Sequence, residues 1–319
     1  MDIFFYEAFE EEEASLRRHL GRGLNFEMSD KTIQESPHRT PPARLISIRT
    51  QSIIPVDWAK SIDGVLSRST GYDHLRAYLD TIAAPLPCGY LEEYATRAVA
   101  EHAVAVLTSL FRRMPAQVRQ MASFDRNGLT GSEFGGKNLL VVGVGRIGSE
   151  IVRLGQGIGM NVKGVDIVRR HPGVQYVARD EGLAWADAVV CAMNLTPENR
   201  GYFSAPVLKK AKPGIIFVNI ARGEHAVTRD LVQLLEQRHL AGVGLDVFEA
   251  EPDVASSFRN PSGHRSEAAE LVRTLGAYPN VVLTPHNAFN TVEAVERKSE
   301  MTARQIRHFL QHKRFLWSL

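Results

Sequence analysis

The stretch Leu139-Leu140-Val141-Val142-Gly143-Val144-Gly145-Arg146-Ile147-Gly148 constrains this chain more than any other. Four consecutive apolar residues suit a strand buried on both faces. The glycines that follow allow a tight turn, a close approach of backbone to a pyrophosphate, and close helix-strand packing. Ile151, Val152 and Leu154 then supply the apolar stripe of a helix whose N-terminus faces the phosphates. Asp166 closes the next strand at about the 20-residue distance where an acid meets a ribose. A lone GxGxxG is weak evidence, but strand, helix and acid in this order read as a dinucleotide site. The candidate cofactor residues are Gly143, Gly145, Arg146, Ile147, Gly148 and Asp166. NAD is expected in preference to its 2′-phosphorylated form, because the Asp166 carboxylate repels a phosphate there.

At 319 residues with 44% apolar side chains, the chain can supply two cores. Its formal charge of +2 comes without a basic stripe interleaved with aromatics, so nothing points to nucleic acid. No apolar run reaches the length of a membrane span, and Met1 to Tyr6, followed by Glu10 to Glu13, lacks the basic start of a signal peptide. A cytoplasmic protein is expected. Cys88 and Cys191 belong to no CxxC pair and read as free thiols, Cys191 in the core.

Short strands and helices alternate along the chain. Residues 3–6, 24–28, 45–48 and 64–66 read as strands, and 13–20 as a helix closed by Gly21. The segment with Pro37, Pro41 and Pro42 reads as a surface loop. Residues 67–73 form a polar, glycine-containing loop at a strand end, where α/β sheets bind ligands. After a break at 85–89, residues 92–114 read as one long helix, with Glu101 and His102 as a solvated or capped polar pair. Beyond Asp166, strands are expected at 187–193, 214–220, 242–247 and 280–283, with helices at 206–211 and 227–238. An irregular segment runs past Pro261 and Gly263, and a last helix at 291–312 folds back to complete the first domain.

Arg222, Glu251 and His286 are far apart in sequence, and spacing alone does not bring them together. However, Asn219-Ile220-Ala221-Arg222-Gly223, Gly244-Leu245-Asp246-Val247-Phe248-Glu249-Ala250-Glu251-Pro252 and Thr284-Pro285-His286 closely resemble the signature blocks of the D-isomer-specific 2-hydroxyacid dehydrogenases. With the glycine block they cover most of residues 139–289 in the family's order. The resemblance implies an α/β fold: a Rossmann-type doubly wound parallel sheet over residues 94–289, with a second, smaller flavodoxin-like α/β domain from 1–93 and 290–319. It also implies an active site in the cleft, NAD as cofactor, a small 2-keto or 2-hydroxy acid as substrate, and a homodimer through the coenzyme domain.

Within that resemblance, Arg222 holds and polarises the keto acid, His286 is the proton donor, and Glu251 orients its ring and favours its charged form. Glu249 competes for the acid role, and the resemblance favours Glu251. Ala221 and Asp246 fall near the cofactor, although Asp246 reads equally well as a structural hydrogen-bonding residue. Thr70 and Gly71 match a loop whose backbone N–H groups meet the substrate carboxylate. Tyr94 and Phe289 fall where lactate-type members line the pocket, and read equally as packing aromatics. Two departures stand out. Ala192-Met193-Asn194 replaces the His-x-Pro of many members, and His225, a surface or cleft residue, replaces a small or apolar one. No metal-ligand spacing is present. The rival reading is an NAD(H)-sensing corepressor-like protein on the same fold. A formate dehydrogenase is disfavoured because that branch resembles this pattern with Gln at the position of Glu251.

Overall fold

The computed structural model of this chain describes residues 1–82, 85–260 and 266–319. The chain forms two compact units, residues 1–95 with 290–319, and residues 96–289. Tyr94 therefore belongs to the first unit, not to the dinucleotide domain to which the sequence reading assigned it.

The first unit begins with β1 (Ile3–Phe5), α1 (Glu10–Leu20), β2 (Phe26–Met28), β3 (Leu45–Ile48), β4 (Gly64–Ser67), α2 (Asp73–Thr81) and β5 (Cys88–Gly89). The strands form one parallel sheet in the order β2-β1-β3-β4-β5. Every residue of β3 and β4 is buried, as expected of parallel strands covered on both faces. Helix α1 starts three residues earlier than the apolar pattern predicts, because Glu10 to Glu13 fill its first turn, where carboxylates favour the positive helix end. Gly21, at φ +69°, ends it.

The second unit opens with α3 (Thr96–Phe111) and α4 (Met114–Gln120), not with the single helix expected over 92–114. Pro115 lacks an N–H and suits the first turn of a new helix, and Arg113 turns the chain at φ +54°. Then follow β6 (Asn138–Val142), α5 (Arg146–Gly157), β7 (Asn161–Val165), β8 (Gln175–Tyr176), α6 (Arg179–Trp185), β9 (Ala188–Cys191), α7 (Ala205–Leu208), β10 (Ile215–Asn219), α8 (Thr228–Glu236), β11 (Leu240–Leu245), α9 (Glu251–Arg259), α10 (Glu267–Ala277) and β12 (Val281–Leu283). These strands make a seven-stranded parallel sheet, β12-β11-β10-β9-β6-β7-β8, the doubly wound arrangement expected. A Cβ on Gly244 would lie 2.3 Å from Val106 Cγ1, so the glycines of β11 make room for α3. The expected irregular segment at Pro261 and Gly263 lies outside the described residues, and helices α9 and α10 flank it.

The last helix, α11 (Val292–His312), returns to the first unit and packs on α1. Glu296 accepts from Ser15 Oγ at 2.6 Å and pairs with Arg18 at 2.7 Å. Beneath that surface contact, Glu12 meets Arg68 Nε at 2.8 Å and Lys298 Nζ at 3.0 Å, all three essentially inaccessible to water. Arg68 also donates to the carbonyls of Tyr6 and Glu7 and to Ser47 Oγ. Burial opposes the Glu12 charge, yet the two cations hold its carboxyl down at about 2. Burial likewise pushes the Lys298 ammonium down to about 7. Desolvation offsets much of the attraction in such a buried network, while removing one partner alone would leave a buried charge uncompensated. Cys88 and Cys191 are free and buried, and burial raises both thiols to about 12. No helix among the described residues is long and apolar enough to cross a membrane.

Candidate active site

Val165, Val142, Cys191, Asn219, Leu245 and Leu283 are Cα partners from strand to strand, a single row across the sheet. Because every strand is parallel, the residues after that row leave the sheet at one edge. They are Asp166, Gly143, Ala192, Ala221 with Arg222, Asp246, and Thr284 with His286. Polar residues repeatedly close apolar strands for this reason, and this edge is where open α/β sheets bind ligands.

The glycine turn after β6 has a separate physical reason at each position. Gly143 sits at φ +91°, and a Cβ there would meet the backbone of Ala192 and Met193 at 2.6–2.7 Å. A Cβ on Gly148 would lie 1.9 Å from the Gly143 carbonyl oxygen. Gly145, the N-cap of α5, has nothing within 4 Å of its Cβ position, so backbone is bared at the helix end where a pyrophosphate would sit. Asp166 is held at the end of β7 by accepting from Val144 N at 2.6 Å and Val168 N at 2.9 Å. Arg146 is exposed and Ile147 half-buried in the first turn of α5. These residues fit a dinucleotide. The departure at Ala192-Met193 packs its backbone against the turn, so this segment shapes the site through its main chain.

Asn219 closes β10 and shapes the next turn, its Oδ1 accepting from Ala221 N at 3.1 Å and its Nδ2 donating to the Arg222 carbonyl at 2.8 Å. Arg222 is half-buried, with Nη1 donating to the Ala221 carbonyl at 2.8 Å. A Cβ on Gly223 would lie 1.9 Å from the Phe248 carbonyl carbon, so the Arg-Gly pair lets the turn lie against the chain leaving β11. His225, left open as surface or cleft in the sequence, is buried.

His286 Nδ1 lies 2.6 Å from Glu251 Oε1, and both side chains are mostly shielded from water. Burial opposes the imidazolium, but the Glu251 carboxylate outweighs it, with Asp246 helping and Arg222 opposing, so the His286 pKa is raised. Arg222, Glu251 and His286 thus converge, although they follow three different strands, β10, β11 and β12. Both carboxylate and ring sit beside left-handed backbone: Ala250 has φ +49° and His286 φ +51°, conformations that non-glycine residues adopt chiefly where surroundings impose them. Glu249 does something else, accepting from Thr228 N at 2.5 Å at the start of α8.

Asp246 is buried, and its oxygens accept from Thr284 Oγ1 at 2.6 Å, Asn287 N at 2.8 Å and Ala288 N at 3.0 Å. Three of its roughly four acceptor positions are taken by the loop carrying His286, which fills the structural role that the sequence left open for it beside a place near the cofactor. His102 is half-buried, with Nε2 3.1 Å from Thr284 Oγ1, so of the solvated and capped alternatives the structure shows a partnered side chain. Thr70 is exposed and Gly71 partly so, just beyond β4 of the first unit. Tyr94 and Phe289 are each 6% exposed, which suits packing aromatics.

The family model described as D-isomer specific 2-hydroxyacid dehydrogenase, NAD binding domain, matches residues 104–288, more than half the chain. The chain belongs to this family. NAD is accordingly the cofactor of the 96–289 unit. A 2-hydroxyacid dehydrogenase homolog of Haemophilus influenzae is 32% identical over 219 residues, 67% of this chain and 65% of that protein. The D-lactate dehydrogenase of Escherichia coli is 30% identical over 219 residues, 67% and 66% of the two chains. The chain thus spans just under two thirds of the length of these curated relatives. The solved D-lactate dehydrogenase of Aquifex aeolicus, complexed with NAD and lactic acid, shares the fold at a TM-score of 0.86, over 98% of this chain and 96% of that one, with 24% identity.

Proposed function

We propose that this chain interconverts a small 2-keto acid and the D-2-hydroxy acid with NAD(H). The observation that carries this reading is the 2.6 Å contact between His286 and Glu251, with the Arg222 charge acting on the same ring. A 2-keto acid presents a carboxylate and a carbonyl side by side, and the planar fork of Arg222 suits holding the first while polarising the second. With Nδ1 engaged by Glu251, His286 presents Nε2 to the carbonyl oxygen. It gives a proton there during reduction and takes one back during oxidation. Glu251 orients the ring and keeps it charged ahead of reduction. NADH, when bound at the glycine turn, supplies the hydride. Substrates of lactate, glycolate or glycerate type, reached from pyruvate, glyoxylate or hydroxypyruvate, suit these groups.

Asp166 is proposed to accept hydrogen bonds from the adenosine ribose and to repel a 2′-phosphate, with Arg169 and Arg170 exposed beyond it. A homodimer is proposed from the apolar side chains of residues 114–124: Met114, Val118, Met121 and Phe124 are all exposed, Phe124 to 75%. A monomer mass by light scattering at micromolar concentration would contradict the dimer. The test of the activity is NADH absorbance against a panel of 2-keto acids, repeated with NADPH. Turnover with NADH well ahead of NADPH is expected. Binding of NADH without turnover of any keto acid would favour a dinucleotide sensor instead, and equal efficiency with both cofactors would defeat Asp166 as the selector.

A further inference from the structure

Thr284, Asn287 and Ala288 flank His286, and all three are tied to one buried carboxylate, Asp246. The Thr284 hydroxyl has a single hydrogen, and Asp246 Oδ1, at 2.6 Å, can only accept, so that hydrogen goes to Asp246. His102 Nε2 lies 3.1 Å from the same hydroxyl oxygen and must therefore be the donor. Hydrogen counting thus places the His102 proton on Nε2. The same nitrogen is 3.7 Å from Asp246 Oδ1. His102 follows directly on α3 after the exposed Arg97–Glu101 pair and lies one turn before the buried Val106, and its ring is turned toward the loop. Nothing in the proton transfer proposed above uses it.

We propose that His102 is a positioning residue for His286. By donating to Thr284 it directs the hydroxyl hydrogen at Asp246, and this chain of bonds holds a loop in which His286 sits at φ +51°, a left-handed region that non-glycine residues seldom occupy. The loop is thereby kept where Nδ1 reaches Glu251. The charged groups facing His286 are Glu251 at the start of α9, Asp246 after β11 and Arg222 after β10, and His102 adds the contact from α3. The catalytic consequence rests on the activity proposed above, whereas the positioning itself does not.

Two measurements on the full chain separate these. The first is the titration of His286 by histidine-selective NMR without substrate. The second is kcat and KM for reduction of an accepted 2-keto acid. His102→Leu keeps bulk but removes the donor, and His102→Gln places an amide N–H near the lost one. In the Leu variant the His286 pKa is expected to fall by about one unit, as its contact with Glu251 loosens. Its kcat should fall about tenfold with KM for the keto acid little changed, the signature of misplacement and not of lost binding. The Gln variant should recover most of both. If His102→Leu does not fold, His102→Asn, whose shorter amide stops short of Thr284, takes its place against Gln. An unmoved His286 titration in the Leu variant, or a Gln variant as impaired as Leu, overturns the proposal. If the parent reduces no 2-keto acid, the proposed activity fails, and the titration alone still decides the positioning.

Discussion

Arg222→Lys is expected to lose roughly 2–4 kcal/mol of transition-state stabilisation, comparable to removing one oxyanion donor. That corresponds to about 30-fold to 1000-fold in kcat/KM. Charge is retained, so an effect of this size isolates the planar fork: an ammonium can meet the carboxylate or the carbonyl as a point charge, but cannot place parallel N–H groups on both. The turn should survive the change. It is set by the Asn219 side chain, which bonds main-chain atoms of Ala221 and Arg222, and by Gly223, which lies against Phe248. NADH binding should therefore be unaffected, while kcat/KM falls for every accepted keto acid. Near-parental turnover of those acids by the Lys variant would remove Arg222 from the proposed role.

Most strands of the second unit were legible because they are short apolar runs between turn residues, and their parallel order follows from alternation with helices, whereas β8, Gln175–Tyr176, carries no apolar run and was not expected. Helices were read less well. Residues 92–114 look continuous by apolar period, yet Pro115 is a start signal that outweighs the period, and it opens α4 just after the left-handed Arg113. Helix α10 carried a readable signal too: Ser266 accepts from Ala269 N as its N-cap, with Ala269, Val272 and Leu275 buried at helical spacing. Helix α2 shows only Leu75 and Tyr78 as buried residues, too sparse a pattern to mark it.

The candidate site divides in the same way. The glycine turn and Asp166 are local, so their order along the chain was enough to find them. Arg222, Glu251 and His286 come together only through the register of β10, β11 and β12, which no spacing reveals. Glu249 and Glu251 are two residues apart and chemically alike. The difference between them is tertiary, since one accepts from the start of α8 and the other from the His286 ring. His102 was the harder case. A histidine beside a glutamate on an amphipathic helix gives no sign of what a loop 182 residues away will present to it.

The central claim is that Glu251 holds His286 in its charged form for proton transfer. It is tested most directly by kcat/KM as a function of pH in both directions, on the parent, Glu251→Gln and His286→Ala. Reduction needs the protonated ring and fails as pH rises through the His286 pKa, while oxidation needs the neutral ring and fails as pH falls through it. The Glu251 carboxylate raises that pKa against the burial that lowers it. Removing its charge leaves burial opposed only by the weaker pull of Asp246, so the pKa in Glu251→Gln should drop by about 1–3 units. The reduction limb should then move to lower pH, and the oxidation limb should move the same way, leaving oxidation active in more acidic solution than in the parent. His286→Ala should lose both limbs along with most of the activity. Unmoved limbs in Glu251→Gln, or parental activity in His286→Ala, would contradict the account.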